Sequence, residues 1–108
     1  MKSAEDILHE THGNRGTFFV QAGKDRIAEL SYSFAGKDMF VDHTFVDPEH
    51  RGGPLAASLV EAAVQHARRE NRLIIPACPY VKSVFDKTPG YADVRRPPAR
   101  DDDEDEDR

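Results

Sequence analysis

Residues 47 to 56, Asp-Pro-Glu-His-Arg-Gly-Gly-Pro-Leu-Ala, hold the densest set of features with a chemical use. An apolar, β-branched run ends just before them, and an apolar helical pattern begins at Pro54 with almost no spacer. A strand that feeds a helix through a glycine-bearing loop gathers backbone N–H groups around one point, and the helix dipole adds about half a positive charge there. That is an anion site suited to phosphate. Gly52, Gly53 and Ala56 have no bulky side chain, so a pyrophosphate would approach the backbone closely, and Arg51 would supply a fixed positive charge. For the glycine pair by itself, a plain flexible turn is the simpler alternative. Neither a G-x-x-x-x-G-K-[ST] loop nor a G-x-G-x-x-G fingerprint is present, which points away from ATP and NAD as the phosphate donor. A second group calls for a chemical account. Cys78 is the only cysteine, so it cannot close an internal disulfide and remains a free thiol.

The elements that would position these groups follow from patterning. Residues 17–21 and 26–34 are rich in β-branched and aromatic types and are separated by Ala-Gly-Lys-Asp, a hairpin turn. After a second Gly-containing turn comes "MFVDHTFV" at 39–46, giving three successive strands and an antiparallel meander. From 54 to 71, Leu55, Ala56, Leu59, Val60, Ala63, Val64 and Ala67 recur at spacings of three and four, which predicts an amphipathic helix with Pro54 in its first turn. "RLIIPAC" at 72–78 reads as a short buried strand. With a helix between, it would return parallel to the third strand as a βαβ unit, and Pro76 argues that it ends or splays there. Residues 79–88 place Tyr80, Val81, Val84 and Phe85 on one helical face, and 89–96 close the domain.

Composition limits the classes of function. The 108 residues suit one small domain, and the 15 Lys and Arg against 20 Asp and Glu give a net charge of −5. Residues 95–108 contain four arginines and seven acids. They divide the chain into a domain at 1–94 and an acidic tail at 95–108, expected to be solvated and disordered. No basic stripe speaks for nucleic acid. No apolar run reaches the length of a signal peptide or a membrane span, and a single cysteine fits a reducing compartment, so a soluble, cytoplasmic protein with no membrane partner is expected.

The string "FVDPEHRGGPLAASLVEAAVQHA" resembles motif A of the GNAT acetyltransferases, a Q/R-x-x-G-x-G/A pattern between a strand and a long helix, with Arg51 to Ala56 as the matching span. "DHTFV" at 42–46 and "IIPACPYVKSVF" at 74–85 are similar to the very small, single-domain branch of that superfamily. The likeness covers about residues 14–94. It implies an α/β (α+β) GNAT-like fold, acetyl-coenzyme A as co-substrate, an amine acceptor and no metal. The acceptor would be a small amine, a peptide N-terminus or a lysine, and the chain a monomer or weak dimer. The implied cofactor contacts are Phe45, Val46, Arg51, Gly52, Gly53, Pro54, Leu55 and Ala56, with Tyr80 and Lys82 toward the pantetheine or the 3′-phosphate. In one departure from the motif, Pro54 replaces a glycine and removes an N–H.

The resemblance also implies that His43 and Cys78 are catalytic. If the two parallel strands diverge, both side chains would border the cleft between them. His43 would take the amine proton and Cys78 would protonate the leaving thiolate, or a Cys78 thiolate activated by His43 would carry the acetyl group first. A cysteine at a strand end is also commonly just a small buried hydrophobe. The alternative function is a non-catalytic module that binds coenzyme A or acyl-coenzyme A. His9 and His12 have no further metal-ligand partner in the sequence, and His50 and His66 read as surface residues.

Overall fold

Residues 7–97 are described by a computed structural model of the chain. One five-stranded sheet runs in the order β1 (Leu8–His12), β2 (Arg15–Ala22), β3 (Asp25–Ala35), β4 (Asp38–Val46) and β5 (Ile74–Pro76). The first four strands are antiparallel, and β5 lies parallel to β4 after the helix α1 (Leu55–Glu70). A second helix, α2 (Pro79–Lys87), and a 3-10 segment, Pro89–Val94, follow. The fold is the expected meander with a βαβ unit and splayed parallel strands. One strand was not anticipated. β1 adds a fourth antiparallel member, because "LHETH" carries little strand patterning of its own and is held by pairing with β2.

The two faces of the sheet differ sharply. Phe18, Val20, Ala28, Leu30, Tyr32, Met39, Val41 and Ile74 form the buried face. Against it α1 sets Leu59, Val60, Ala63, Val64 and Ala67, and α2 adds Val81 and Phe85 to the same core. Truncating Leu59, which is fully buried, would cost about 2–5 kcal/mol. α1 stops at Asn71, whose left-handed backbone (φ 55°) lets its N–H and that of Arg72 close onto the Ala67 carbonyl. On the other face stand Thr17, Glu29, Ser31, Phe40 and His43, and among the described residues no helix crosses them.

A bulge decides which residues of β4 belong to which face. Tyr32 pairs with Val41 and Ser31 with His43, so Asp42 is the extra residue. Strict alternation from Met39 through Val41 would put His43 on the helix face. The inserted residue inverts the phase, so Thr44 and Val46 take that face while His43 and Phe45 turn to the open one.

At the β1 edge, the buried Tyr32 phenol passes beneath Gly16, where a Cβ would overlap its ring, and its Oη lies 2.8 Å from His9 Nε2. His9 stacks on Phe18 at 4.1 Å and meets the edge of His66 at 4.9 Å. His66 is thus half-buried in an aromatic cluster, not a surface residue as its helical position suggested. Residues 1–6 and 98–108, including the acidic run at 101–107, lie outside the described residues. The described backbone stays tied to the sheet at Arg96, whose N–H donates to the Ile74 carbonyl at 2.9 Å. No described helix is long and apolar enough to cross a membrane.

Candidate active site

The loop after β4 is built by Asp47. Its N–H donates to the Ile27 carbonyl at 2.7 Å, which ends the ladder with β3. Its carboxylate then accepts from the Glu49 N–H at 3.3 Å and faces His50 Nδ1 at 3.2 Å, fixing a 3-10 turn over Pro48–His50. Arg51 folds back so that Nε donates to the Val46 carbonyl at 2.7 Å, and Gly52 turns the chain with a φ of +85° that favours glycine. α1 begins next. Its first N–H groups have no partner within the helix, and no side chain caps them.

These features open onto a cleft of about 320 Å³. Of the cofactor contacts expected from sequence, Phe45, Val46, Arg51, Gly52, Gly53, Ala56 and Tyr80 line it; Thr44 and His50 line it as well. Three expected contacts are not among the lining residues. Leu55 packs against the core, Lys82 pairs with Asp86 at 3.2 Å, and Pro54 borders a different groove. That groove, about 600 Å³ along the outer side of α1 from Ile7 to Tyr91, is the larger of the two but lacks the glycine pair, and neither His43 nor Cys78 is a lining residue of either.

β4 and β5 pair only from Met39–Val41 to Ile74–Pro76 and then part. The N–H groups of Ala77 and Cys78 both converge on the Val41 carbonyl at 3.0 Å, which turns the chain out of the sheet and into α2. Cys78 becomes the residue that starts α2, 8% exposed, with its Sγ 3.4 Å from the Thr44 hydroxyl. Burial pushes the thiol up. The Thr44 hydroxyl, then the Val81, Tyr80 and Thr44 amides, pull it down, and the net result is below the ordinary cysteine value. No side-chain hydrogen bond of ordinary geometry caps α2. The Tyr80 and Val81 amides therefore act as aimed dipoles, and the Thr44 hydroxyl is the well-formed partner. Burial raises the Tyr80 phenol, which keeps it protonated at the cleft wall.

His43 is placed differently from Cys78. Its ring points to the open face, 55% exposed, with Nε2 3.6 Å from Glu29 Oε2. The two residues expected to act together flank the gap between β4 and β5 from opposite faces of the sheet, and Thr44 takes the place beside the sulfur that was expected of His43. Sequence reasoning passed over Thr44 because only the bulge at Asp42 brings it inward. It passed over His50 because a polar residue in a turn looks like plain surface. Among the described residues, no three His, Cys, Asp or Glu side chains gather to hold a metal.

Comparison with known proteins agrees with this fold. The solution structure of a protein assigned as a GCN5-like N-acetyltransferase from Staphylococcus aureus superimposes with a TM-score of 0.65 at 26% identity, covering 93% of this chain and 98% of that one. A ribosomal-protein-alanine N-acetyltransferase from Brucella melitensis biovar Abortus 2308 shares the fold, with a TM-score of 0.56 at 15% identity over 70% of this chain and 64% of its own. Residues 17–94 match the family described as GCN5-related N-acetyl-transferase. With that match spanning most of the chain, the protein belongs to the GCN5-related N-acetyltransferase family.

Proposed function

We propose that this chain transfers an acetyl group from acetyl-coenzyme A to an amine, with the loop at 51–56 holding the pyrophosphate. The observation that carries the reading is one continuous cleft. The uncapped start of α1 behind Gly52 and Gly53 opens into it, and Thr44, which touches the Cys78 sulfur, forms another part of its wall. Pro54 lacks an N–H, so Gly53, Leu55 and Ala56 are the backbone donors assigned to the phosphates, even though the Leu55 side chain turns away. The pantetheine arm runs between the parted ends of β4 and β5.

In the reaction, the acceptor comes from the open face, where His43 stands. Its nitrogen lone pair attacks the thioester carbonyl, His43 takes the amine proton, the C–S bond breaks, and the thiol of Cys78 gives its proton to the departing sulfur. The pull of Thr44 and the α2 amides on Cys78 also favours a second route, in which the Cys78 thiolate takes the acetyl group first and passes it on. A bare sheet face suits a small amine, a peptide N-terminus or a lysine side chain. This assignment sets the working domain in a cytoplasmic setting and extends it past the expected boundary at 94 to Arg96, whose N–H is bonded to the Ile74 carbonyl.

Calorimetric titration of acetyl-coenzyme A into the full chain, with ATP and NAD as controls, tests the reading. Selective binding is expected, and no heat at millimolar ligand would overturn it. Intact-mass analysis of the mixture separates the routes, since an added acetyl group that disappears in Cys78→Ala marks the covalent one. Selective binding with no turnover on any amine tried would leave a binding module.

A further inference from the structure

We infer that His50 is a second phosphate-binding residue of the cleft, beside Arg51 and the amides of the glycine pair, and that Asp47 prepares it for that role. The inference rests on the reading of the loop as a coenzyme A site. His50 closes the 3-10 turn and forms part of the cleft wall, next to Arg51, Gly52 and Gly53. Its Nδ1 lies 3.2 Å from Asp47 Oδ2. A carboxylate oxygen only accepts, so Nδ1 carries the hydrogen, and Nε2 is the nitrogen left for a ligand.

In the neutral ring, Nε2 presents a lone pair that repels a phosphate oxygen. Protonated, it presents an N–H and a full charge, and the resulting charge-assisted hydrogen bond is among the strong ones. The contact with Asp47 holds Nδ1 as the donor and leaves Nε2 to the ligand, and a phosphate there stabilises the protonated form. Binding therefore draws a proton onto the ring. The other charged or titratable groups nearby are Glu49 on the same turn, Arg51 beside it, and Tyr80 across the cleft. Arg51 opposes the added charge. Its Nε donates to the Val46 carbonyl with the guanidinium still charged, and Asp47 contacts the imidazole directly. Two parts of coenzyme A offer the required anion, the pyrophosphate and the 3′-phosphate.

The test uses the full chain, unmodified and as His50→Gln and His50→Arg. Each is titrated with coenzyme A and with dephospho-coenzyme A in two buffers of different ionisation enthalpy at neutral pH. Binding to the unmodified chain should take up protons. His50→Gln should weaken coenzyme A by about tenfold, the worth of one charge-assisted hydrogen bond, and abolish the uptake. His50→Arg should keep the affinity while also losing the uptake. A loss confined to coenzyme A assigns the contact to the 3′-phosphate, and an equal loss for both ligands assigns it to the pyrophosphate. His50 is exposed, so these variants should fold. If His50→Gln binds both ligands as the unmodified chain does, with the same proton uptake, the inference is overturned. If the unmodified chain binds neither, the cofactor reading falls and takes the inference with it.

Discussion

Both helices of this domain start without a side-chain cap, and they use their free N-termini in different ways. α1 starts behind two glycines and a proline, so no described side chain caps its first amides, and Gly53 and Ala56 line a cleft. α2 starts at Cys78, whose own sulfur lies in the field of the Tyr80 and Val81 amides and meets the Thr44 hydroxyl. The same local electrostatics are open to a ligand in the first case and act on a side chain in the second. What separates them is the residue at the cap position. Proline offers no polar atom, whereas cysteine offers one that can become an anion.

The sharpest way to break this contrast is to remove the sulfur. Cys78→Ala should lower turnover by about 100-fold or more, the usual worth of a positioned proton donor or nucleophile, while coenzyme A still binds. Unchanged turnover in steady-state assays would make Cys78 a structural residue after all. At α1 the matching change is Gly53→Glu. A Cβ there meets only the His50 carbonyl at 3.7 Å, so the fold should accept it. The carboxylate should repel the pyrophosphate and weaken coenzyme A by roughly 100-fold, in line with a like charge at close range near a protein surface. An unaltered titration curve would show that the phosphates bind elsewhere.

Thr44→Val probes the second helix more gently. Without the hydroxyl the thiol rises toward its ordinary value, and the rate of alkylation by iodoacetamide at neutral pH should fall by about threefold. A rate that stays level would mean that α2 alone holds the thiolate.

A control lies at the β1 edge, outside the cleft that holds the glycine pair. Burial, with Arg69, holds His9 below its usual 6.5. Burial, then His9 and the nearby arginines, do the same for His66 against the opposing pull of Glu70. The unfolded chain binds more protons in this range, so stability is fully present above about 6.5 and is lost as pH falls through the lowered folded values. The urea midpoint should drop modestly between pH 7.5 and 5.5, and His66→Gln should flatten that drop. A midpoint that rises on acidification would contradict the burial of this pair.

Some of these features could be read from sequence because they are local. The three-and-four spacing of Leu59, Val60, Ala63, Val64 and Ala67 specifies a helix whatever surrounds it, and a glycine pair between strand and helix exposes amides by its backbone alone. Other features depend on contacts remote in the chain. β1 exists because its pairing with β2 and the His9 bond to Tyr32 hold it. The partnership of Thr44 with Cys78 depends on a single inserted residue, Asp42. Strict alternation along β4 would turn His43 to the helix face, and the bulge turns Thr44 there, beside the sulfur. A shift of one residue set which side chain meets the sulfur, and no property of "DHT" taken alone announces it.

The contact between Gly16 and Tyr32 has a consequence for how this sequence can change over generations. The phenol occupies the space that any side chain at position 16 would need, so each position constrains the other. An alanine at 16 is a heavy burden while Tyr32 is present and a light one once Tyr32 has become smaller. The order of the two steps therefore matters. A lineage that shortened Tyr32 first would give up the anchor of His9 and loosen β1, but would then be free to vary position 16. The reverse order meets the clash with the phenol at once, so the edge strand is held by the cost of either first step.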